Sequence, residues 1–260
     1  MPSRPTSSIS PHRTLSLLSV ALLGALATAQ SDRPDATHIF ITYRCKAPDR
    51  PAFRRQLLGE EIERLQAWKS AGVMADFVLT FNPVVDEATW DATLVLTFHR
   101  YAQTARWREI ERDFPGGLGP KALSLATPCT TYFADREITA GKAGDRSMST
   151  FLYIPYTCRD RAEYLDFIRV YGVPQFDAWI EQKIIANYSI FVNHHSTGRP
   201  WDSMLVFEYV DIEALGRRDI VKWQVRKDLV KQPDWKLASG VKREIREEHE
   251  VVMGEPLVGK

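Results

Sequence analysis

One stretch of this sequence occurs twice. WDATLVLTF occupies residues 90–98, and WDSMLVFEY occupies residues 201–209. The similarity extends without a gap from residues 64–98 to residues 175–209. Tryptophan is a rare residue, so two Trp pairs at one fixed offset are difficult to obtain by chance. The recurring identities are Ala67, Trp68, Ala75, Asn82, Trp90, Asp91, Leu94 and Val95, which return as Ala178, Trp179, Ala186, Asn193, Trp201, Asp202, Leu205 and Val206.

The repeat sets the domain organisation. Further upstream, Ile41, Tyr43 and Cys45 return as Ile154, Tyr156 and Cys158. Such self-similarity indicates two copies of one structural unit, here residues 30–138 and 150–260. The segment between them, TAGKAGDRSMS at 139–149, is small, polar and glycine-containing, which is typical of a linker.

Each copy has the same order of hydrophobic periods. In the first copy, apolar residues alternate in three segments that we predict to be strands, and they recur at helical spacing between the first two. A second helix and a last strand complete the unit. The predicted strands are 38–45, 75–82, 90–99 and 129–138, and the predicted helices run from Asp49 to about Gly72 and over 102–114.

The second copy repeats this order, beginning with a strand at 149–158. Its first helix is predicted to begin at Asp160, with Glu163 completing a capping box. Gly172 and Pro174 should kink that helix, because proline removes a backbone donor and clashes with the preceding turn. The last strand is predicted near 244–253, and its charged residues at 243–250 should protect an exposed sheet edge.

The order βαββαβ, found twice, resembles the ferredoxin-like unit. Two such units packed sheet to sheet resemble the dimeric α+β barrel superfamily, which includes small monooxygenases, muconolactone-isomerase-like proteins, stress-responsive barrel proteins and haem-handling enzymes. The resemblance implies an α+β fold in which a single chain forms a pseudo-twofold barrel. A fused pair already buries the sheet faces that its relatives bury by dimerising, so a monomer is expected.

The N-terminus has the three parts of a secretory signal peptide. Arg4, His12 and Arg13 form a basic start, residues 14–27 are apolar or small, and Ala27-Thr28-Ala29 matches a cleavage site. A membrane anchor is the alternative, but the apolar run is shorter than the ~20 residues that span a bilayer. We expect cleavage after Ala29, no membrane insertion afterwards, and a secreted or periplasmic protein.

Composition excludes some classes of function. The chain is 44% hydrophobic and 26% charged, as is typical of a folded globular protein. Its formal net charge is +1, and it has no basic stripe, so a nucleic-acid partner is not expected.

Three cysteines follow the predicted signal peptide: Cys45, Cys129 and Cys158. Their spacing does not match a zinc site, and export would favour one disulfide and one free thiol. In the ferredoxin-like order that the resemblance implies, the last strand lies beside the first. The resemblance therefore implies a Cys45–Cys129 disulfide, with Cys158 free and buried.

The parity of the strands separates two faces. One face is apolar and should pack under the helices. The other mixes apolar and polar residues, as does the wall of a small-molecule site, and is predicted to face a lumen between the sheets. The candidate ligand-binding side chains on this face are Arg44, Asn82, His99, Tyr153, Asn193, His195 and Glu208.

Several of these residues have more than one interpretation. The repeated Asn82/Asn193 and Asp91/Asp202 can form a polar rim or, as short polar residues at strand ends often do, close a hairpin. His99 and His195 can act as a general base or haem ligand, or as hydrogen-bonded structural residues. Trp68, Trp90, Trp179 and Trp201 are predicted to be core residues rather than cofactor contacts.

Three functions remain open. The first is an exported module that binds a small, partly apolar ligand in the lumen. The second is a cofactor-free monooxygenase, an isomerase or a haem-degrading enzyme, as the resemblance implies, with His99 or His195 and Arg44 as polar agents. The third is a structural protein whose lumen is filled by side chains such as Phe40, Tyr153 and Phe191.

No cofactor or metal is predicted. Haem is compatible with the resemblance, but no motif supports it.

Of the two matching hairpin loops, 83–89 and 194–200, only the second carries His and Arg. A single site is therefore expected near the second loop.

Overall fold

The computed structural model describes residues 36–259, so the predicted signal peptide lies outside the described residues. Each half forms an antiparallel sheet in the ferredoxin-like order, β4-β1-β3-β2 in the first and β9-β5-β7-β6 in the second. The strands are β1 (Thr37–Cys45), β2 (Asp76–Phe81), β3 (Ala92–Phe98), β4 (Ala126–Gly141), β5 (Thr150–Cys158), β6 (Ile185–Asn193), β7 (Ser203–Tyr209), β8 (Arg246–Glu248) and β9 (Val252–Pro256).

The last strand of each half joins the two sheets. The first part of β4 pairs with β1, as in Ile39↔Phe133, and its last part pairs with β6, as in Thr139↔Ser189. In the same way β9 pairs with β5 and, through Thr80↔Pro256, with β2. Both edges are thereby paired and the sheet closes into a barrel. The predicted α+β pseudo-twofold barrel is confirmed.

Helices cover the outside of the barrel. In the first half a π-helical stretch, Leu57–Glu61, joins two helices of the predicted 49–72 segment. In the second half the Asp160 carboxylate accepts the Glu163 N–H at 2.8 Å, and Gly172 separates two helices, as predicted. The helices are α1 (Arg50–Gln56), α2 (Ile62–Ser70), α3 (Thr104–Asp113), α4 (Pro120–Leu123), α5 (Arg161–Tyr171), α6 (Val173–Glu181), α7 (Ile212–Gly216), α8 (Arg218–Leu229) and α9 (Pro233–Ile245).

Three apolar clusters stabilise this arrangement. One lies under the helices of each half, with Trp107 fully buried in the first and Tyr164 in the second. Burying a large apolar side chain contributes about 1.5–3 kcal/mol. The third cluster fills the middle of the lumen and includes Phe40 and Trp201. No helix within residues 36–259 is long and apolar enough to cross a bilayer.

The end of the chain differs from the prediction. The charged run 243–250 is the end of α9 followed by β8, which pairs only with β5 at the sheet edge. The closing strand β9 begins later, at Val252. Helical spacing continues through Ile245, so the sequence pattern did not separate the helix end from the strand. In addition, β4 extends to Gly141, into the segment predicted as linker.

The prediction of a Cys45–Cys129 disulfide is wrong, because Cys45, Cys129 and Cys158 are all free in the structure. The adjacency of β1 and β4 is as expected, but the register pairs Cys45 with Ala126 and shifts at a bulge between Thr42 and Tyr43. Cys129 thus lies three residues along the strand from the partner of Cys45, about 10 Å at ~3.3 Å per residue. A disulfide requires Cα atoms within about 7 Å.

Candidate functional site

Aromatic side chains block the middle of the barrel. Phe40 contacts Phe191 edge-on at 4.9 Å between ring centroids and Trp201 at 5.8 Å. Tyr132 lies 4.7 Å from Trp201. This aromatic plug (Phe40, Tyr132, Phe191 and Trp201) agrees with the hypothesis of a filled barrel, but a cavity remains at each end of the lumen.

The larger cavity lies at the end where the two repeated hairpins meet, and we call it the hairpin-end cavity. Its volume is about 650 Å³. The repeat-related Trp90 and Trp201 both line it, so the pseudo-twofold relation brings the duplicated phrase to one place. Its lining residues are Thr42, Arg44, Ala88, Thr89, Trp90, Cys129, Thr130, Tyr132, Pro155, Pro200, Trp201, His249 and Glu250.

The four repeated tryptophans occupy different parts of the core. Trp68 and Trp179 pack among aromatic residues under the helices, as predicted. Trp201 is also a core residue, but of the lumen cluster, and the half-buried Trp90 packs against that cluster. Strand alternation does not apply to these two residues, because β3 and β7 begin only at Ala92 and Ser203.

Asn82 and Asn193 close the hairpins. The Asn82 Nδ2 donates to the Trp90 carbonyl at 3.1 Å, and the Asn193 Nδ2 donates to the Trp201 carbonyl at 3.2 Å. The Asn82 Oδ1 accepts the Val84 N–H, and the Asn193 Oδ1 accepts the His195 N–H. These bonds hold the carbonyl side of each cavity tryptophan, so both asparagines position the cavity wall.

The paired aspartates hold the hairpins to the first strands. The Asp91 Oδ2 accepts the Cys45 N–H at 2.7 Å, and the Asp202 Oδ2 accepts the Cys158 N–H at 2.8 Å. Asp91 also forms a buried ion pair with Arg50 of α1. Both aspartates therefore act in the scaffold, where they bond the first strands rather than the turn of their own hairpin.

A few polar groups lie in or beside the hairpin-end cavity. Arg44 is exposed, and its Nη2 donates to the Ala88 carbonyl at 2.8 Å. The His249 Nε2 lies 3.2 Å from the Thr157 Oγ1. The Arg199 guanidinium lies 5.4 Å from the centre of the Tyr132 ring. Burial raises the pKa of the Tyr132 phenol, and the nearby Arg199 partly offsets this rise, so the phenol is neutral at neutral pH.

Burial also raises the pKa of the Cys129 thiol at this cavity, so the thiol is protonated at neutral pH. Its Sγ lies 3.4 Å from the Thr127 carbonyl. A protonated thiol is a poor nucleophile, and Cys129 therefore contributes a weakly polar surface rather than a reactive group.

The smaller cavity, at the opposite end, has a volume of about 240 Å³, and linker residues such as Ala143 and Arg146 help to line it. Glu208 and Tyr153 reach it, as strand parity predicts. The buried Glu208 carboxylate accepts the Gly144 N–H at 3.0 Å and the Ser149 Oγ–H at 2.7 Å, and also bonds Asn187. Glu208 thereby holds the linker on the barrel.

Tyr153 is similarly engaged. Its hydroxyl lies 3.1 Å from the Thr80 Oγ1, and burial raises the pKa of the phenol, so it is neutral at physiological pH. The bond joins β5 of the second half to β2 of the first. Tyr153 therefore contributes to barrel closure, and its role in ligand binding stays a prediction.

The two histidines predicted for the lumen lie outside it. His99 follows the end of β3, is exposed, and lies beside α2 with Gln66 and Gln103. His195 is exposed in the second hairpin loop, where its N–H donates to the Asn193 Oδ1 at 3.0 Å. Both lie beyond the last paired residue of a strand, so the parity argument fails for them. Sequence reasoning missed His249 because its segment was assigned to a strand edge.

Comparisons with known proteins support the architecture. No family model matches the chain, and no curated protein matches it. Solved structures do match. Two are described as putative monooxygenases, from Lactobacillus acidophilus NCFM (TM-score 0.54, 12% identity, 86% of this chain and 95% of that one) and Fusobacterium nucleatum (TM-score 0.53, 11% identity, 86% and 93%). A mutant chlorite dismutase from Candidatus Nitrospira defluvii in complex with cyanide has a TM-score of 0.51 at 10% identity, over 86% and 92%.

The chain has the dimeric α+β barrel fold. At these identities the similarity establishes the fold and not the activity. The alignment covers nearly the whole length of each of these two chains, so the two units of this chain together correspond to one complete chain of each.

No haem ligand is identified within residues 36–259. Haem iron is held by a histidine, cysteine, methionine or tyrosine side chain. The His249 Nε2 lies 3.2 Å from the Thr157 Oγ1, and the cavity beside His38 is smaller than the usual 300–1,000 Å³ of ligand pockets. That part of the chain also has no group of three metal-ligating side chains.

Proposed function

We propose that this protein binds one small, planar, partly apolar molecule in the hairpin-end cavity. The observation that carries the proposal is the pairing of Trp90 and Trp201 in the wall of a cavity of about 650 Å³. Ligand pockets of soluble proteins occupy about 300–1,000 Å³ and combine apolar walls with a few polar groups. The smaller cavity falls below that range.

The chemistry of the wall indicates the class of ligand. Trp90, Trp201 and Tyr132 offer aromatic surfaces, which favour a planar ring through offset or edge-to-face contacts. Arg44 at the cavity and Arg199 above Tyr132 supply positive charge. The ligand we expect is therefore aromatic or otherwise planar, with a polar or anionic substituent directed to the arginines.

The walls come from both halves of the chain. Trp90 is in the first half and Pro155, Pro200 and Trp201 are in the second. The second hairpin contributes Pro200, and Arg199 of the same loop lies over Tyr132 of the wall, which agrees with a single site near that loop. His195 does not line the cavity proposed here.

The enzyme alternative uses the same cavity. Two similar structures are described as putative monooxygenases, and in this alternative the His249 imidazole in the wall accepts a proton from the bound substrate. Under this alternative the bound molecule is consumed with oxygen uptake; under the binding proposal it is recovered unchanged.

Removing one aromatic wall is expected to weaken binding. With 8-anilinonaphthalene-1-sulfonate, which carries aromatic rings and an anionic group, Trp90→Ala should raise the dissociation constant by about tenfold, equivalent to about 1.4 kcal/mol. Trp90 is half-buried, so the variant should fold. Fluorescence titration measures the constant.

The matched control is Trp223→Ala, which removes a tryptophan that is 59% exposed on α8, outside the cavity. Its dissociation constant should equal that of the unmodified protein. If Trp90→Ala and Trp223→Ala bind the probe equally well, the hairpin-end cavity is not the binding site.

A further inference from the structure

We propose a second site, a phosphate-binding groove between α8, α9 and β8, that takes a small phosphorylated molecule. It is distinct from both lumen cavities and does not depend on the function proposed for them. The groove has a volume of about 510 Å³. We call it the basic groove, and the residues that line it are Tyr171, Lys222, Arg226, Lys242, Arg243, Arg246, Glu247 and Glu248.

The basic groove is built by a segment that barrel closure does not require. In the first half, residues 99–125 connect β3 to β4. In the second half, the equivalent connection from β7 to β9 spans residues 210–251 and adds α9 and β8. Since the first half closes without such an addition, the extra helix and edge strand are available for another role.

Two arginines of the basic groove are fixed in place. The Arg226 Nε donates to the Gln175 Oε1 at 2.7 Å, and its Nη2 donates to the Tyr171 hydroxyl at 2.9 Å. The Arg246 guanidinium lies 4.1 Å from the centre of the Tyr156 ring, a stacking distance. Guanidinium groups that are already oriented lose little entropy when they bind an oxyanion.

The positive charge of the groove is not neutralised by ion pairs. Across residues 36–259, the ion pairs within 4 Å include none of the five basic side chains of this groove. Burial lowers the pKa of Lys222 and of Lys242, and the neighbouring Arg226 lowers both further. A bound anion would offset the repulsion between these lysines and Arg226.

The balance of charges favours a phosphate group over a single carboxylate. Five basic side chains against Glu247 and Glu248 leave an excess that a dianionic or more highly charged oxyanion matches. Arginine also fits phosphate geometry through paired N–H donors. The site is a concave groove of limited extent, not a stripe along the surface, so a small molecule fits it better than a nucleic-acid strand does.

The test uses inorganic pyrophosphate as the probe, with isothermal titration calorimetry at low ionic strength. We expect binding of one pyrophosphate per chain. Lys222→Gln/Lys242→Gln should raise the dissociation constant at least about tenfold, because two cations that contact the anion are lost. Arg243 is exposed, so Arg243→Gln should fold and should raise the dissociation constant for pyrophosphate by a smaller factor. It replaces the double variant in the test if the double variant does not fold.

The matched control is Lys227→Gln. Lys227 is on the same helix, but its Nζ lies over the exposed Trp223 ring at 3.3 Å, away from the groove. This variant should bind pyrophosphate as the unmodified protein does. Absence of pyrophosphate binding, an equal loss in the control, or tight binding of a single-stranded oligonucleotide that pyrophosphate does not displace would each overturn the proposal. The hairpin-end cavity is unaffected by these changes, so its probe titration stays independent.

Discussion

Asp91→Ala is expected to lower the free energy of unfolding by about 3–5 kcal/mol, the usual cost of breaking a buried ion pair. Asp91 and Arg50 have side chains that are 9% and 8% exposed. Without the carboxylate, the Arg50 guanidinium stays buried and keeps the carbonyls of Asn82 and Val84 and the face of the Phe81 ring as partners, but no counter-charge. The Cys45 N–H also loses its acceptor.

The second half supplies the control for this effect. Asp202→Ala removes the equivalent bond to the Cys158 N–H, but Arg161, which follows the cap residue Asp160 as Arg50 follows Asp49, pairs with Glu137 instead. Only a backbone donor is left unsatisfied, at a cost of about 1–3 kcal/mol. Urea denaturation of both variants measures the difference. Equal losses in the two halves would show that the Arg50–Asp91 pair does not stabilise the fold.

The aromatic plug should contribute as much as a core residue. Trp201→Ala is expected to cost about 3–5 kcal/mol, the range for removing a large aromatic side chain from a core. Trp201 is 3% exposed and contacts Phe40 and Tyr132, so the rings around it would be left beside a void. The void would also enlarge the hairpin-end cavity toward the middle of the lumen.

Urea denaturation again gives the stability, with Trp223→Ala as the control. That side chain is largely exposed, and its loss should change the free energy of unfolding by less than about 0.5 kcal/mol. If Trp201→Ala is no more destabilising than Trp223→Ala, the lumen is not closed by a packed plug and the two cavities are one channel.

The fold could be predicted because the duplication presents each hydrophobic pattern twice in the sequence. Hydrophobic alternation located every strand except the last within a few residues, and the recurrence of the two Trp pairs showed that they belong to equivalent units. Strand parity then placed Tyr153 and Glu208 in the lumen correctly. Parity is reliable there because both residues lie inside paired strands.

The candidate site was harder to predict, since much of it lies at strand ends. Trp90 precedes β3 and His99 follows it, and backbone pairing does not fix the direction of either side chain. The basic groove was missed for a related reason. Lys222 and Arg226 are one helical turn apart, but Lys242, Arg243 and Arg246 join them only through the packing of α9 against α5 and of β8 against β5.

The cysteines show a different limit. The neighbouring strands were identified correctly, but the bulge between Thr42 and Tyr43 shifts the register by an amount that the sequence does not reveal. A shift of one or two residues decides whether two thiols can meet. Strand order therefore predicted proximity, and only the register could decide bonding.

The most direct test of a ligand site between the repeated hairpins is an NMR titration of the indole N–H groups. The chain has seven tryptophans, so each indole can be assigned by single substitutions. On addition of 8-anilinonaphthalene-1-sulfonate, the indole signals of Trp90 and Trp201 should shift, and those of Trp68, Trp107 and Trp179 under the helices should not. Shifts confined to Trp223 or Trp235, with Trp90 and Trp201 unchanged, would contradict a binding site at the hairpin end of the barrel.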